Sequence, residues 1–525
     1  MNIAEILAVR AQSQPDVPAI IEGIGRRVRR TTFARLDSAA AQAAGLLRDA
    51  GLRAGDPALI LQPMSTELYV ALAAIFRLGL VAMFVDPAAG REHVERCCAL
   101  ERPRALIAAT RAHLLRLRSP ALRAISKKFV IGPPVPGAVR WSRAALAAPC
   151  EAIVPCPPEA PALVTFTSGS TGEPKAALRS HGFLHAQHRI LADALQLKAG
   201  DVDLTTMPIV LLANLASGVT SLLPAVDLRY PGAIDPAPVV AQIGEHQPVS
   251  SAASPAFFER LARHGAQRSL ALPSLRKLFT GGAPVFPRLL EGMQRLAPLA
   301  EVQAVYGSTE AEPIARIALD EIEPADREAM RAGRGLLAGA PVGAIRVAIL
   351  PDRWGTRIGP FASADFVGEC LPANRPGEIV VSGEHVLPGY LHGRDEQATK
   401  FRVDGAVWHR TGDAGYFDDR GRLWLLGRCA ARIADGNGVL YPLAAEACAV
   451  DDPRIHRAAL VARDGRRILA VELADPQDRP ERAFLDGHRR RARVDEVRVC
   501  REIPVDRRHN AKIDYLRLER MMKST

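Results

Sequence analysis

The 525 residues exceed what one ordinary hydrophobic core organises, so length alone predicts two to four lobes. With 48% hydrophobic residues and charges of both signs the chain is not largely disordered, and its 40 prolines and 41 glycines imply many turns. The net charge of +11 is spread along the sequence, and its densest run, Arg489-Arg490-Arg491-Ala492-Arg493, has no zinc-ligand spacing, RNA-binding motif or interleaved aromatics beside it, so nucleic-acid binding is not expected.

Taken in chain order, residues 1–16 carry Glu5 and Arg10 where a signal peptide would be apolar, and read as a short amphipathic helix. Segments 57–62 and 80–85 read as buried strands around a helical pattern at 66–78, an alternation that predicts parallel α/β layers. The proline-rich stretch 148–161 reads as a surface crossover feeding an apolar strand at 162–167. Residues 207–226 carry no charge over a membrane-spanning length. Pro208, Pro224, Asn214, Ser217 and Gly218 would leave polar groups without partners in lipid, so a buried pocket helix is expected and no transmembrane span. Val210, Leu212, Ala213 and Asn214 are its candidate substrate-pocket residues. Residues 350–376 read as a second connector, and after Arg428 short strands at 457–461 and 468–473 announce a small separate lobe. Eight cysteines without a CxxC pair do not read as a disulfide framework, which places the chain in a reducing cytoplasm.

The most informative stretch is 162–175, ALVTFTSGSTGEPK. Thr167, Ser168, Gly169, Ser170, Thr171 and Gly172 follow the apolar run with hydroxyls and two glycines, which let backbone N–H groups close on an anion. Lys175 adds a point charge for the outer phosphates, and together they point to ATP. The spacing is not that of a Walker A loop, which needs Gly, four spacers, then Gly-Lys-Ser/Thr. His181, close behind, is a candidate for the substrate side, and a histidine at a helix start is as often structural.

This loop resembles that of the adenylate-forming superfamily of acyl-CoA synthetases, peptide-synthetase adenylation domains and luciferases, and partner motifs follow in order. Gly281-Gly282-Ala283-Pro284 resembles the adenine-side turn, Tyr306-Gly307-Ser308-Thr309-Glu310 the aromatic, threonine and magnesium-binding glutamate motif, and Trp408-His409-Arg410-Thr411-Gly412-Asp413 with Gly427-Arg428 the ribose motifs. Asn510-Ala511-Lys512-Ile513 occupies the place of the catalytic lysine. The resemblance implies an α/β fold: a large N-terminal domain of packed α/β subdomains, 1–428, and a small mobile α+β domain, 429–525. It implies ATP and Mg²⁺, with Glu310 on the metal, Thr309 and Lys512 catalytic, Tyr306 near adenine, and Asp413 and Arg428 at the ribose. A hydrophobic small-molecule carboxylic acid is the expected partner.

Three departures bear on what attacks the acyl-adenylate. Where typical acyl-CoA synthetases continue from Gly-Arg with Lys-Asp and a Gly-Gly-Glu turn, this chain places Ala431 at the hinge and Gly438 at the glutamate, and Asn510-Ala511 replaces Ser-Gly before the lysine. Coenzyme A is therefore a doubted acceptor. Arg508-His509-Asn510-Ala511-Lys512-Ile513, Trp408-His409-Arg410, Val85-Asp86-Pro87 and Thr309-Glu310-Ala311-Glu312-Pro313 resemble instead the olefin-pathway β-lactone synthetases. That group tends to carry histidine at the place of Ala431, and aromatics in the segment 208–218. The resemblance implies a 3-hydroxy acid closed to its β-lactone. An acyl-CoA ligase, a ligase loading a carrier protein and a non-catalytic nucleotide-binding paralogue stay open as alternatives.

Overall fold

The computed structural model describes residues 2–86, 89–168, 174–393, 396–506 and 512–523. The chain forms two compact units, one of Met1–Val226, Ala237–Ala252 and Gly389–Glu396, the other of Asp227–Pro236, Ala253–Pro388 and Gln397–Thr525. Residues 429–525 thus share a unit with 253–388.

In the first unit the expected alternation is present. Strands Pro57–Leu61 and Val81–Phe84 flank the helix Thr66–Arg77, which starts where the Ser65 hydroxyl accepts from the Leu68 N–H and is buried along most of its length. They belong to a seven-stranded sheet ordered Val139–Arg140, Lys127–Ile131, Ala105–Ala109, Pro57–Leu61, Val81–Phe84, Pro161–Ser168, Pro174–Ser180. Every pairing is parallel except the last, an antiparallel pair. The strand Pro18–Glu22 pairs parallel with Thr220–Leu222, which pairs parallel with Val202–Thr205. Phe33, Leu36, Tyr69, Ile75 and Phe129 are among the fully buried side chains of this core.

The second unit carries a sheet ordered Arg346–Leu350, Gly377–Ser382, Ala406–Phe417, Leu423–Arg428, Leu336–Pro341, Ala311–Ala318, Glu301–Ser308, Lys277–Gly281, antiparallel up to the final parallel pair. Beyond Arg428 a three-stranded sheet, Ile455–Arg463, Arg466–Leu473, Glu496–Cys500, packs under the helices Pro442–Val450 and Tyr515–Lys523. The short strands expected there are present, and the arginine run ends the helix Arg482–Ala492.

The uncharged segment 207–226 breaks into the ten-residue helix Pro208–Ser217 and the strand Thr220–Leu222, with Gly218 at φ +75° between them. Among the described residues no helix is long and apolar enough to cross a membrane.

Candidate active site

The strands Ala406–Phe417 and Leu423–Arg428 pair with Asp413 opposite Arg428. The residues just before Asp413 are committed to holding that strand. Arg410 is fully buried and donates from Nε and Nη2 to both oxygens of Glu378, at 2.9 and 2.6 Å, and from Nη1 to the Thr356 carbonyl at 2.6 Å. The Thr411 hydroxyl donates to the Ile379 carbonyl at 2.9 Å and accepts from the Asp413 N–H at 3.0 Å. Gly412 lies at φ +72°, where a Cβ would stand 2.9 Å from the Trp354 ring, so glycine is required for the turn that delivers Asp413.

Tyr306, on the strand Glu301–Ser308, donates its hydroxyl to Asp413 Oδ2 at 2.8 Å, and burial, then the neighbouring carboxylate, pushes the phenol pKa well up. Arg428 Nη1 lies 3.4 Å from Asp413 Oδ1 and donates to the Thr411 carbonyl at 3.0 Å. The Asp413 carboxylate raises the guanidinium pKa, opposed by burial, and Tyr306 and Glu310 add to the rise. Thr309 and Glu310 make the two-residue turn into the strand Ala311–Ala318, and the Glu310 carbonyl accepts from the Leu387 N–H at 2.7 Å. Cys429, adjacent to Arg428, is fully buried and its thiol is pushed up by burial, which makes it inert as a nucleophile.

One cavity of about 1020 Å³ is lined by Gly282, Ala283, Pro284, Tyr306, Asp413, Arg428 and Lys512, and Thr309 and Glu310 are not among its lining residues. Lys512 stands on an exposed turn whose backbone is held by Asp506, with Lys512 N donating to Asp506 Oδ1 at 3.0 Å and Asp506 N to the Lys512 carbonyl at 2.7 Å. Thus five motifs scattered between residues 281 and 513 meet on one surface. The lining also holds residues that no motif announces, Glu446, Tyr515 and Arg288. Tyr515 follows Lys512 by three residues, but nothing in the spacing ties it to Glu446, 69 positions away.

The remaining candidates stand elsewhere. Gly169, Ser170, Thr171 and Gly172 lie outside the described residues; the backbones of Thr167 and Ser168 end their strand opposite Lys175 and Pro174. Lys175 is buried with Nζ 5.8 Å from the Tyr390 ring centroid. Of the pocket-helix group, Leu212 and Ala213 face a small apolar cavity of about 70 Å³ shared with Tyr69 and Leu184. Val210 is buried, and the Asn214 amide donates to Asp203 Oδ2, Thr205 Oγ1 and Ser221 Oγ at 3.1, 3.0 and 3.1 Å, a commitment to the strands behind the helix. His181 is structural: fully buried, it accepts from the Ile3 N–H at 3.1 Å, and burial lowers its pKa to about 4.

Residues 7–391 match the family described as AMP-binding enzyme. The chain belongs to that family. The enzyme is 32% identical over 549 aligned residues to an olefin β-lactone synthetase of Stenotrophomonas maltophilia, covering 98% of this chain and 96% of the relative. It is 28% identical to a 2-succinylbenzoate–CoA ligase of Bacillus licheniformis, covering 88% and 86%. Among solved structures the anthranilate CoA ligase AuaEII in complex with anthranoyl-AMP superposes with a TM-score of 0.83 at 18% identity, covering 100% of this chain and 98% of that one, a shared fold. The enzyme is therefore adenylate-forming, using ATP to activate a small carboxylic acid.

Proposed function

We propose that the enzyme activates a hydrophobic 3-hydroxy acid as its acyl-adenylate and closes it to a β-lactone. The observation carrying the first half-reaction is the single cavity bordered by Tyr306, Asp413, Arg428 and Lys512. Asp413 accepts from the ribose hydroxyls and Arg428 supports the same sugar. The Tyr306 ring stacks near the adenine, on which Gly282, Ala283 and Pro284 close. Lys512 bridges the substrate carboxylate and the α-phosphate. A carboxylate oxygen attacks the α-phosphorus and pyrophosphate leaves, a step opposed chiefly by repulsion between anions, so a cation aimed at the developing charge contributes about 10²–10³ in rate. Thr309 is assigned to the phosphates, and the resemblance assigns Thr167–Gly172 and Lys175 to phosphate binding.

Glu310 suits Mg²⁺. Among the described residues no group of three or more histidine, cysteine or acidic side chains is poised to hold a metal by itself. Mg²⁺ takes most of its oxygens from phosphates and water and needs only one or two carboxylates. When bound, it neutralises charge across the phosphates.

For the second half-reaction, the 3-hydroxyl oxygen bonds to its own acyl carbon, the acyl–phosphate C–O bond breaks, AMP departs and the hydroxyl proton is released. Holding nucleophile and carbonyl in one molecule supplies an effective concentration of about 10⁵ M or more, less the cost of ring strain. Near end-to-end likeness to the Stenotrophomonas relative, with Ala431 and Gly438 at the altered hinge and thioester-turn positions, supports this reading. We further assign 429–525 as a mobile domain delivering Lys512, and a cytoplasmic location, in keeping with eight cysteines none of which forms a disulfide. Likeness to CoA ligases supports a second reading, thioester formation. Mass spectrometry after incubation with ATP, Mg²⁺ and a 2-alkyl-3-hydroxy acid decides between them. Loss of water from the acid without coenzyme A is expected, and a thioester formed only when coenzyme A is present would sink the lactone reading.

A further inference from the structure

Two groups on the cavity wall have no part in the chemistry just described. Glu446, on the helix Pro442–Val450, is a buried carboxylate whose Oε1 accepts from the Tyr515 hydroxyl at 2.6 Å and from the Leu460 N–H at 3.0 Å. Tyr515 opens the helix Tyr515–Lys523, three residues beyond Lys512, and lies close enough to Arg428 for that charge to bear on its phenol. The helix bearing Glu446 is in turn anchored from the opposite wall: Arg288, on the helix Pro287–Leu296, donates from Nη1 to the carbonyls of Val450, Asp452 and Ile455 at 3.1, 2.9 and 3.3 Å. Those carbonyls lie at and just past a helix C-terminus, where acceptors lack intrahelical donors and a cation is favoured.

We propose that the Glu446–Tyr515 hydrogen bond is a positioning device for Lys512. It ties the start of the last helix to a helix that Arg288 fixes to the cavity wall, while Asp506 holds the Lys512 backbone from the other side. A buried carboxylate is a costly residue to place where a hydrophobe would pack, and its retention needs partners that satisfy it. Here the partners are one backbone N–H and the one tyrosine next to the lysine turn. The bond fixes where the turn leaves the helix, and so how far the Lys512 side chain reaches into the cavity. Misplacement of a reacting group by about 1 Å costs on the order of 10²-fold in rate.

This inference rests on the assignment of Lys512 to adenylation, and acid-dependent ATP–pyrophosphate exchange separates the two. Lys512→Ala is expected to lower exchange by about 10²–10³-fold. Tyr515→Phe, which removes one oxygen, is expected to lower kcat for exchange by about 10- to 100-fold, with KM for ATP and thermal unfolding little changed. In the Lys512→Ala background the same substitution is expected to cost nothing further, because a residue that acts through another is silent once that other is gone. Glu446→Ala should match Tyr515→Phe, and Glu446→Gln, which keeps a carbonyl acceptor, should lose several-fold less. Wild-type exchange in Tyr515→Phe, an effect on KM alone, or fully additive losses in the double variant would overturn the positioning role. Retained exchange in Lys512→Ala would instead sink the lysine assignment, and the inference with it. If Tyr515→Phe is unstable, the ranking of Glu446→Gln above Glu446→Ala is the deciding result, and equal losses overturn the proposal.

Discussion

The two charged walls of the cavity are held by different means. Asp413 and Arg428 stand on neighbouring strands, the first locked in place by the Glu378–Arg410 pair, whose side chains are each 1% exposed. Lys512 stands on an exposed turn held by Asp506 and, through the next helix, by Tyr515 and Glu446. Breaking the buried Arg410–Glu378 pair strands a charge in a medium that cannot solvate it, whereas the bonds around Lys512 are individual hydrogen bonds that contribute about 1 kcal/mol each. The difference teaches that one wall is held by a buried ion pair and the other by single hydrogen bonds, so the two should respond differently to substitution.

The comparison can be broken at its strongest point first. Arg410→Ala, leaving Glu378 buried without its partner, should destabilise the fold by about 3–5 kcal/mol in urea unfolding. A loss below about 1 kcal/mol would show that the brace is not what holds the strand bearing Asp413. Lys512→Ala should leave unfolding unchanged while lowering pyrophosphate exchange by about 10²–10³-fold, with ATP binding by calorimetry largely intact. Unaltered exchange would remove Lys512 from the chemistry. Tyr306→Phe deletes one hydrogen bond to Asp413, a net effect of about 1 kcal/mol, and should weaken ATP binding roughly five- to tenfold. No change would mean that Asp413 needs no help to face the ribose.

The smallest effect concerns pH. Burial raises the Glu446 carboxyl from 4.5 to about 7. Between those values the folded protein holds a proton that the unfolded chain has lost, so this group's contribution to stability is fully present below about 4.5 and falls away as pH rises through about 7. Urea midpoints for Glu446→Gln should therefore decline less with pH across that window than those of the wild type. Parallel profiles would show that Glu446 does not titrate there.

Sequence order carried much of the cavity lining, because Gly282, Tyr306, Asp413 and Arg428 belong to contiguous motifs in which each residue's neighbours constrain its backbone. The membrane-length run 207–226 was legible as a globular element for a similar reason: its prolines, Gly218 and Asn214 are local signals of a short helix and a turn. The pocket group was less legible. Asn214 reads as polar lining in the sequence, yet its amide serves Asp203, Thr205 and Ser221, partners that only sheet pairing brings beside it. His181, a candidate for the substrate side, binds the backbone of Ile3.

By itself, then, the sequence determined the α/β class, the membership in the adenylate-forming family and the chain positions of the motifs that line the cavity, all of which depend on local pattern and order. Only the tertiary structure decided that Glu378 locks Arg410, that Glu446 meets Tyr515, and that Arg288 caps the carbonyls near Val450. Those are contacts between residues 32, 69 and 162 positions apart. Pairing at such separations comes from how helices and strands pack, and packing leaves no period or motif in either partner's own stretch of chain.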